Sequence, residues 1–146
     1  MLNGKSPFSA QGTVKKWPTP TARDYKDGVF CGNVPTNKLL GREVWEGPEN
    51  KGRLNPDWVE WLMGWPIGWT SLDFINIDNK GWWRFATAPS AERGRYWEED
   101  PADIPVGEKY HTPRLTTQKK NRPERLKALG NGQVPQQAEL AWKVLS

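Results

Sequence analysis

The sequence predicts a small α+β domain that is largely irregular, and three observations lead to this fold class. The chain has 146 residues, the size of one domain or of one small domain with an arm. Only 36% of the residues are hydrophobic and the mean hydropathy is −0.83, so we expect a small core. The 13 prolines and 14 glycines are spread along the chain and interrupt long helices and regular strands.

The amino-terminal part predicts an arm followed by loops. Residues 1–16 are small and polar, so we expect a flexible arm before a single domain at residues 17–146. The two prolines of WPTP favour extended backbone, and Asp27-Gly28 predicts a turn. The next apolar cluster predicts one short helix or strand, and its members are Leu39, Leu40, Val44 and Trp45.

The stretch LNPDWVEWLMGWPIGW predicts a helix over about residues 56–64. Asn55 can cap the helix and Pro56 suits its first turn, while a glycine and a proline end it. Helical spacing places four large apolar side chains on one face: Trp58, Trp61, Leu62 and Trp65. That spacing favours core packing over a ligand platform, so the tryptophans are predicted to form the core.

The next stretch predicts short strands and an exposed loop. SLDFINID alternates like a strand and GWWRF predicts another. WEEDPADIP is an acidic connector, and we interpret its carboxylates as a solvated loop rather than a catalytic pair; they are Glu98, Glu99, Asp100 and Asp103.

Two more helices are predicted near the carboxyl terminus, over about residues 123–129 and 135–145, separated by the GNG at Gly130–Gly132. The last helix carries an apolar face that we expect to be buried, formed by Ala138, Ala141, Trp142 and Leu145.

Charge and composition limit which partners and which kinds of site the protein can have. A net charge of +4 favours polyanionic partners. Ordinary soluble proteins also reach such values, so the charge alone supports both interpretations equally. Cys31 is the single cysteine and His111 the single histidine, so neither an intrachain disulfide nor a zinc site is expected, and His111 is predicted to be exposed. No apolar run has the length of a membrane span and the amino terminus has no signal core, so the predicted location is the cytoplasm.

Two stretches resemble a known family. RLNPDWVEWLMGWPIGW (Arg53–Trp69) is similar to motif IX of the DNA cytosine-5 methyltransferases, and RLKALGNGQVPQQAELAWKVL (Arg125–Leu145) is similar to their motif X. WPTPTARDYKDG also resembles the carboxy-terminal part of methyltransferase-like proteins of bacteriophages, which would place the protein in the host cytoplasm. The resemblance implies that residues 17–146 correspond to the target-recognition and carboxy-terminal region of such an enzyme.

The catalytic motifs of that family are absent from the sequence. There is no Phe-x-Gly-x-Gly cofactor loop, no Pro-Cys nucleophile and no Glu-Asn-Val acid. Cys31 follows Phe30 instead of proline and has no basic neighbour in the sequence to activate it. We therefore predict no catalytic residue and no metal site, and no methylation by this chain alone. S-adenosylmethionine is expected only together with a catalytic partner.

The resemblance also suggests a position for the cofactor. It implies that Gly130 and Asn131 would lie beside S-adenosylmethionine. A turn between helices that needs left-handed glycine geometry explains the same residues equally well.

The DNA-binding candidates come from the basic segment at residues 109–127. The candidates for phosphate contacts are Lys119, Lys120, Arg122 and Arg125. A solvated basic face explains the same charges equally well. Trp83 is a further candidate for stacking, because it adjoins Trp82 and adjacent residues of a strand face opposite sides.

The predicted function is a non-catalytic DNA-recognition or accessory protein that acts with a catalytic chain supplied in trans. Its expected partners are duplex DNA and a methyltransferase catalytic subunit or a host protein. One alternative is a stand-alone phage protein, derived from a methyltransferase, that binds DNA or a host protein in an anti-restriction or regulatory role. Another is an inactive remnant with a structural or inhibitory role.

Overall fold

The computed structural model describes residues 17–45, 48, 51–73, 100–108 and 111–145, without the side chains of residues 135 and 136. Within these residues the chain forms a small α+β fold, which confirms the predicted fold class. In chain order the elements are a 3₁₀ helix at Asp24–Lys26, α1 at Leu40–Glu43, β1 at Arg53–Leu54, α2 at Pro56–Leu62, β2 at Leu115–Thr116, α3 at Arg122–Gly130 and α4 at Pro135–Leu145.

The three predicted helices are present, and the apolar cluster before them forms α1. Helix α2 ends at Leu62, two residues before the predicted end, because Met63 already caps it. The strand predicted over SLDFINID lies mostly outside the described residues, and the one predicted over GWWRF lies wholly outside them.

Helix α2 begins where the sequence predicts, and its cap also holds a distant loop. The Asn55 side chain accepts a hydrogen bond from the backbone N–H of Asp57 at 3.1 Å, which satisfies one of the open donors of the first turn. Its amide group donates to the carbonyl oxygen of Pro113 at 2.8 Å. Pro113 lies just before β2, so this one residue both starts α2 and fixes the approach to the second strand.

The strands β1 and β2 form a two-residue antiparallel ladder. Arg53 is opposite Thr116 and Leu54 is opposite Leu115. A Cβ atom on Gly52 would lie 2.6 Å from the Cβ atom of Leu115, so glycine is required where the strands approach.

The core lies where α2, α3 and α1 meet. Trp58 and Trp61 are 0% and 3% exposed, which confirms them as core residues. Leu62 and Trp65 are only partly buried and pack against this core. The other large buried members are aliphatic: Leu40, Val44, Leu54, Val59, Met63, Leu126 and Leu129.

Helix α4 was predicted to bury an apolar face, and this prediction is wrong. Ala138 and Ala141 are exposed, Trp142 is 76% exposed and Leu145 is 86% exposed. Part of this face lines an open groove of about 420 Å³, with Met63 and Gly130 on the opposite side. The apolar spacing correctly predicts a helix, but burial also needs a closely packed surface opposite it. In the described residues no helix is long and apolar enough to cross a membrane.

Candidate nucleic-acid interface

Two of the predicted phosphate contacts are exposed at the start of α3. Lys119 and Lys120 follow β2, and both side chains reach solvent. The Nζ atom of Lys120 lies 2.6 Å from an Oδ1 atom of Asp73, with 74% and 65% of the two side chains exposed. An ion pair this exposed contributes about 0–1 kcal/mol, so Lys120 can exchange Asp73 for a phosphate oxygen at little cost.

Arg122 was predicted as a phosphate contact, and its burial corrects that prediction. The residue is only 3% exposed. Its Nε atom donates to the carbonyl oxygen of Leu54 at 2.9 Å, and its Nη1 atom donates to that of Tyr25 at 3.1 Å. Burial lowers the pKa of Arg122 and the positive charge of Arg53 lowers it further, while Asp27 acts in the opposite direction. The guanidinium therefore joins β1, the 3₁₀ helix and α3 inside the protein.

Arg125 is corrected for a similar reason, because its guanidinium binds carboxylates of α2. Its Nη2 atom lies 2.9 Å from an Oε1 atom of Glu60 and 2.5 Å from an Oδ1 atom of Asp57, and 15% of the side chain is exposed. Burial alone would lower the pKa of Arg125, but the hydrogen bond with Asp57 and the charge of Glu60 raise it. Arg125 thus connects α3 to α2 and is not available to a phosphate.

Glu60 is the centre of this network, and the sequence analysis missed it. The side chain is 0% exposed, yet it accepts hydrogen bonds from the backbone N–H groups of Gly68 and Thr70, the Thr70 hydroxyl group and Arg125. Its contacts fix the turn that follows α2 against that helix. Its sequence position between two core tryptophans was the available signal, since an acid there is buried only when paired.

Five exposed cations lie on α3, on the segment before it, and on the 3₁₀ helix and β1 that Arg122 joins to it. The Nζ atoms of Lys26 and of Lys127, in the last turn of α3, lie over the same ring, 5.8 Å and 4.4 Å from the centroid of Tyr25. Arg53 is exposed on β1 and lies close enough to Arg122 to affect its pKa. We call the following set the α3 basic surface: Lys26, Arg53, Lys119, Lys120 and Lys127.

The α3 basic surface is built from three separate parts of the chain, joined by the buried Arg122. The hydrogen bonds of Arg122 to the carbonyl oxygens of Tyr25 and Leu54 place the neighbouring residues Lys26 and Arg53 beside the start of α3. Among the described residues of α3 and of the ion pair that Lys120 forms, the exposed acids are Glu124 and Asp73, so the five cations of the surface outnumber them. The arrangement is suited to a polyanion. Lys26 and Arg53 were missed by sequence reading because only the fold brings them to this segment, whereas Lys127 lies in the predicted basic segment but was not among its candidates.

Gly130 has a packing role that neither sequence interpretation included. A Cβ atom at this position would lie 2.1 Å from the backbone of Thr21 and Ala22, so the end of α3 approaches that segment too closely for any side chain. Asn131 has φ −94° and ψ −7°, and positive φ among the described glycines occurs only at Gly64, Gly68 and Gly107. The interpretation as a left-handed turn is therefore wrong.

The cofactor interpretation of Gly130 and Asn131 gains no support from the side chains around them. Gly130 lines the groove beside α4, whose described lining has the polar side chains of Thr19, Gln133 and Gln137 but no charged side chain to balance the charges of the cofactor. S-adenosylmethionine carries a sulfonium, an ammonium and a carboxylate group, and these need charged or polar partners. These residues do not fit the cofactor by themselves, so its binding together with a catalytic chain stays a prediction.

The acidic connector is not simply a solvated loop. Asp100 accepts hydrogen bonds from Trp58 Nε1 at 2.8 Å and from Arg114 Nη2 at 2.9 Å, and only 14% of its side chain is exposed. Asp103 is 66% exposed and pairs with the same arginine. Burial alone would lower the pKa of Arg114, but the hydrogen bonds and charges of Asp103 and Asp100 raise it. Asp100 is thus an anchor for the core tryptophan.

His111 is partly buried, not exposed as predicted, and its Nδ1 atom lies 2.7 Å from the carbonyl oxygen of Ile104. Cys31 is exposed. Trp83, Glu98 and Glu99 lie outside the described residues. Within the described ranges no group of three histidine, cysteine or acidic side chains is placed to hold a metal ion.

Comparison of the chain with family models, curated proteins and solved structures gives no match. The candidate interface is therefore judged by its own side chains: exposed lysines at the surface, and arginines beneath them that hold the elements together.

Proposed function

We propose that the protein is a non-catalytic DNA-recognition or accessory protein that binds duplex DNA and acts with a catalytic chain supplied in trans. The observation that carries the proposal is the α3 basic surface, in which five exposed cations from three parts of the chain lie on and beside one helix. Cations arranged in this way bind the phosphate backbone of nucleic acid and release its counterions.

Two further observations support the proposal. The stretches that resemble motifs IX and X pack against each other through the Glu60–Arg125 ion pair, so they form one unit on this chain. The sequence lacks the nucleophile, the acid and the cofactor loop of the methyltransferases it resembles. A chain that has the stretches resembling motifs IX and X but lacks the catalytic residues is suited to an accessory role.

The proposal is tested by fluorescence anisotropy with a labelled duplex of about 20 base pairs over a series of salt concentrations. The wild-type protein should bind at low salt, and the slope of log K against log salt should be about −0.9 for each phosphate neutralised. Lys119→Gln/Lys120→Gln should flatten this slope by up to about two units. Because phosphate contacts do not read bases, DNA binding by the wild-type protein should show little preference for a base sequence.

A matched control removes the same charge elsewhere. Lys38 and Lys143 are exposed and lie outside the α3 basic surface, Lys38 before α1 and Lys143 on α4, where it pairs with Glu139. Lys38→Gln/Lys143→Gln should leave the slope nearly unchanged. If wild type shows no duplex binding at low salt, or if both double variants weaken binding equally, the surface has no specific role in DNA binding. A protein partner then becomes the better explanation.

A further inference from the structure

Trp69 differs from the core tryptophans, because the fold presents it at the surface. Its indole is 46% exposed, whereas Trp58 and Trp61 are buried. It rests against Trp65, with ring centroids 5.6 Å apart and an interplanar angle of 35°. One end of the aromatic pair thus joins the core while the other reaches solvent.

The turn that carries Trp69 is held in place from both sides. Its backbone N–H donates to the carbonyl oxygen of Pro66 at 3.0 Å. The two flanking residues, Gly68 and Thr70, donate their backbone N–H groups to the fully buried Glu60. A buried carboxylate therefore fixes the residue before and the residue after the indole. An aromatic side chain held this way loses little conformational entropy when a flat ligand stacks on it.

Lys120 of the α3 basic surface is tied to the segment that carries this turn, and α3 itself contacts the turn. Lys120 pairs with Asp73, which is four residues beyond Trp69 and hence no more than about 14 Å away along the chain. Arg125 Nε lies 3.0 Å from the Thr70 hydroxyl oxygen, which connects α3 directly to the turn. Lys120 is thus tied through Asp73 to the segment that carries the exposed ring, and an aromatic ring together with a lysine is a combination that binds a base and a phosphate of the same strand.

We propose that Trp69 is a stacking platform for an unpaired nucleobase, with Lys120 holding a phosphate of that strand. The inference rests on the proposed function in taking DNA as the ligand, and it adds that DNA with unpaired bases is bound in a second way. Stacking accepts any base, so sequence preference should be slight. A continuous duplex presents no base face to Trp69 except at its ends.

The test uses a labelled single-stranded oligothymidylate of 12 nucleotides and a relaxed, covalently closed circular duplex, which has neither ends nor a loop, each titrated with the full chain at low salt. Trp69→Ala should weaken binding of the single strand by roughly five- to 150-fold, the loss expected for one stacked base. It should leave the affinity for the circular duplex and the salt slope for either ligand unchanged, since no charge is removed. Trp69→Phe should recover part of the affinity, and wild-type tryptophan fluorescence should be quenched on saturation with the single strand.

Trp142→Ala is the matched control, because it removes an indole that is 76% exposed on α4. It should bind the single strand as wild type does, and thermal melting shows whether each variant is folded. Equal affinities of Trp69→Ala and Trp142→Ala for the single strand would overturn the proposal, as would wild-type fluorescence that the single strand does not quench. The proposed function fails separately, if the circular duplex is not bound. Trp69-dependent binding of the single strand would then still stand.

Discussion

The buried ion pair between Glu60 and Arg125 makes a sharp prediction about stability. Glu60 is 0% exposed and accepts from Arg125, Gly68 and Thr70. Glu60→Leu leaves the guanidinium without its buried carboxylate and removes the acceptor of two backbone N–H groups. Breaking a buried pair from one side costs about 3–5 kcal/mol, and each backbone donor left without an acceptor adds about 1–3 kcal/mol. A domain with a total stability of about 5–15 kcal/mol would be close to unfolding.

The partner substitution should cost less. In Arg125→Met the Glu60 carboxylate keeps its bonds to Gly68 and Thr70, so we expect the lower end of about 3–5 kcal/mol. In the double variant Glu60→Leu/Arg125→Met no charge is left buried at this position. Its cost should fall below the sum of the two single costs by up to about 3 kcal/mol.

Urea unfolding followed by tryptophan fluorescence measures these differences as changes in the midpoint at constant slope. Asp57→Asn is the matched control, since Asp57 pairs with the same arginine but its side chain is 39% exposed. Loss of this more exposed pair should cost about 1 kcal/mol or less. Additive costs in the double variant, or a Glu60→Leu midpoint close to that of Asp57→Asn, would refute the role assigned to the buried pair.

Three further predictions concern packing and pH. Trp61→Ala should cost about 3–5 kcal/mol because it empties a buried site, and an unchanged melting temperature would contradict this. Gly130→Ala should cost about 1–3 kcal/mol more than Gly132→Ala in urea unfolding, since its Cβ atom would lie 2.1 Å from the backbone of Thr21 and Ala22. Burial raises the pKa of Asp24 above 3.8, against the hydrogen bonds from Thr21. The folded protein therefore favours the neutral Asp24 side chain. This stabilisation is complete below pH 3.8, the pKa of an unperturbed aspartate, and is lost as the pH rises through the raised pKa of the folded state. Wild type should thus gain stability relative to Asp24→Asn between neutral pH and about pH 4, and parallel melting curves over that range would argue against the raised pKa.

The sequence predicted the local features of the fold because they depend on neighbouring residues. The cap, the first-turn proline and the tryptophan spacing of α2 are all read within about ten residues, and the structure confirms the helix and its buried indoles. The same spacing in α4 predicted the helix but not its exposure. Periodicity shows which side is apolar. Whether that side is covered depends on distant residues.

The site was harder to predict, and the basic segment shows why. Lys119, Lys120, Arg122 and Arg125 look alike as charges in a run, yet the two lysines are exposed, Arg122 is buried and Arg125 is partly buried. A signal for Arg122 was present: it stands four and seven residues before Leu126 and Leu129, on the same buried face of α3. The signal for Glu60 was weaker: it stands between two core tryptophans, but its partners lie on a turn that folds back over α2 after the helix has ended.

In this segment the arginines stabilise the fold and the lysines provide exposed charge. Exchanging one for the other should therefore separate effects on folding from effects on DNA binding. The Arg122 guanidinium donates to two carbonyl oxygens in different elements, which the single ammonium group of lysine cannot reach in the same fixed geometry. Lys119, by contrast, is an exposed charge for which the shape of the head group matters little. Arg122→Lys should lower the melting temperature by several degrees although the net charge is kept, while Lys119→Arg should leave both the melting temperature and the salt slope of DNA binding unchanged. If Arg122→Lys melted like wild type and lost DNA affinity instead, Arg122 would belong to the binding surface and its assignment to the interior would be wrong.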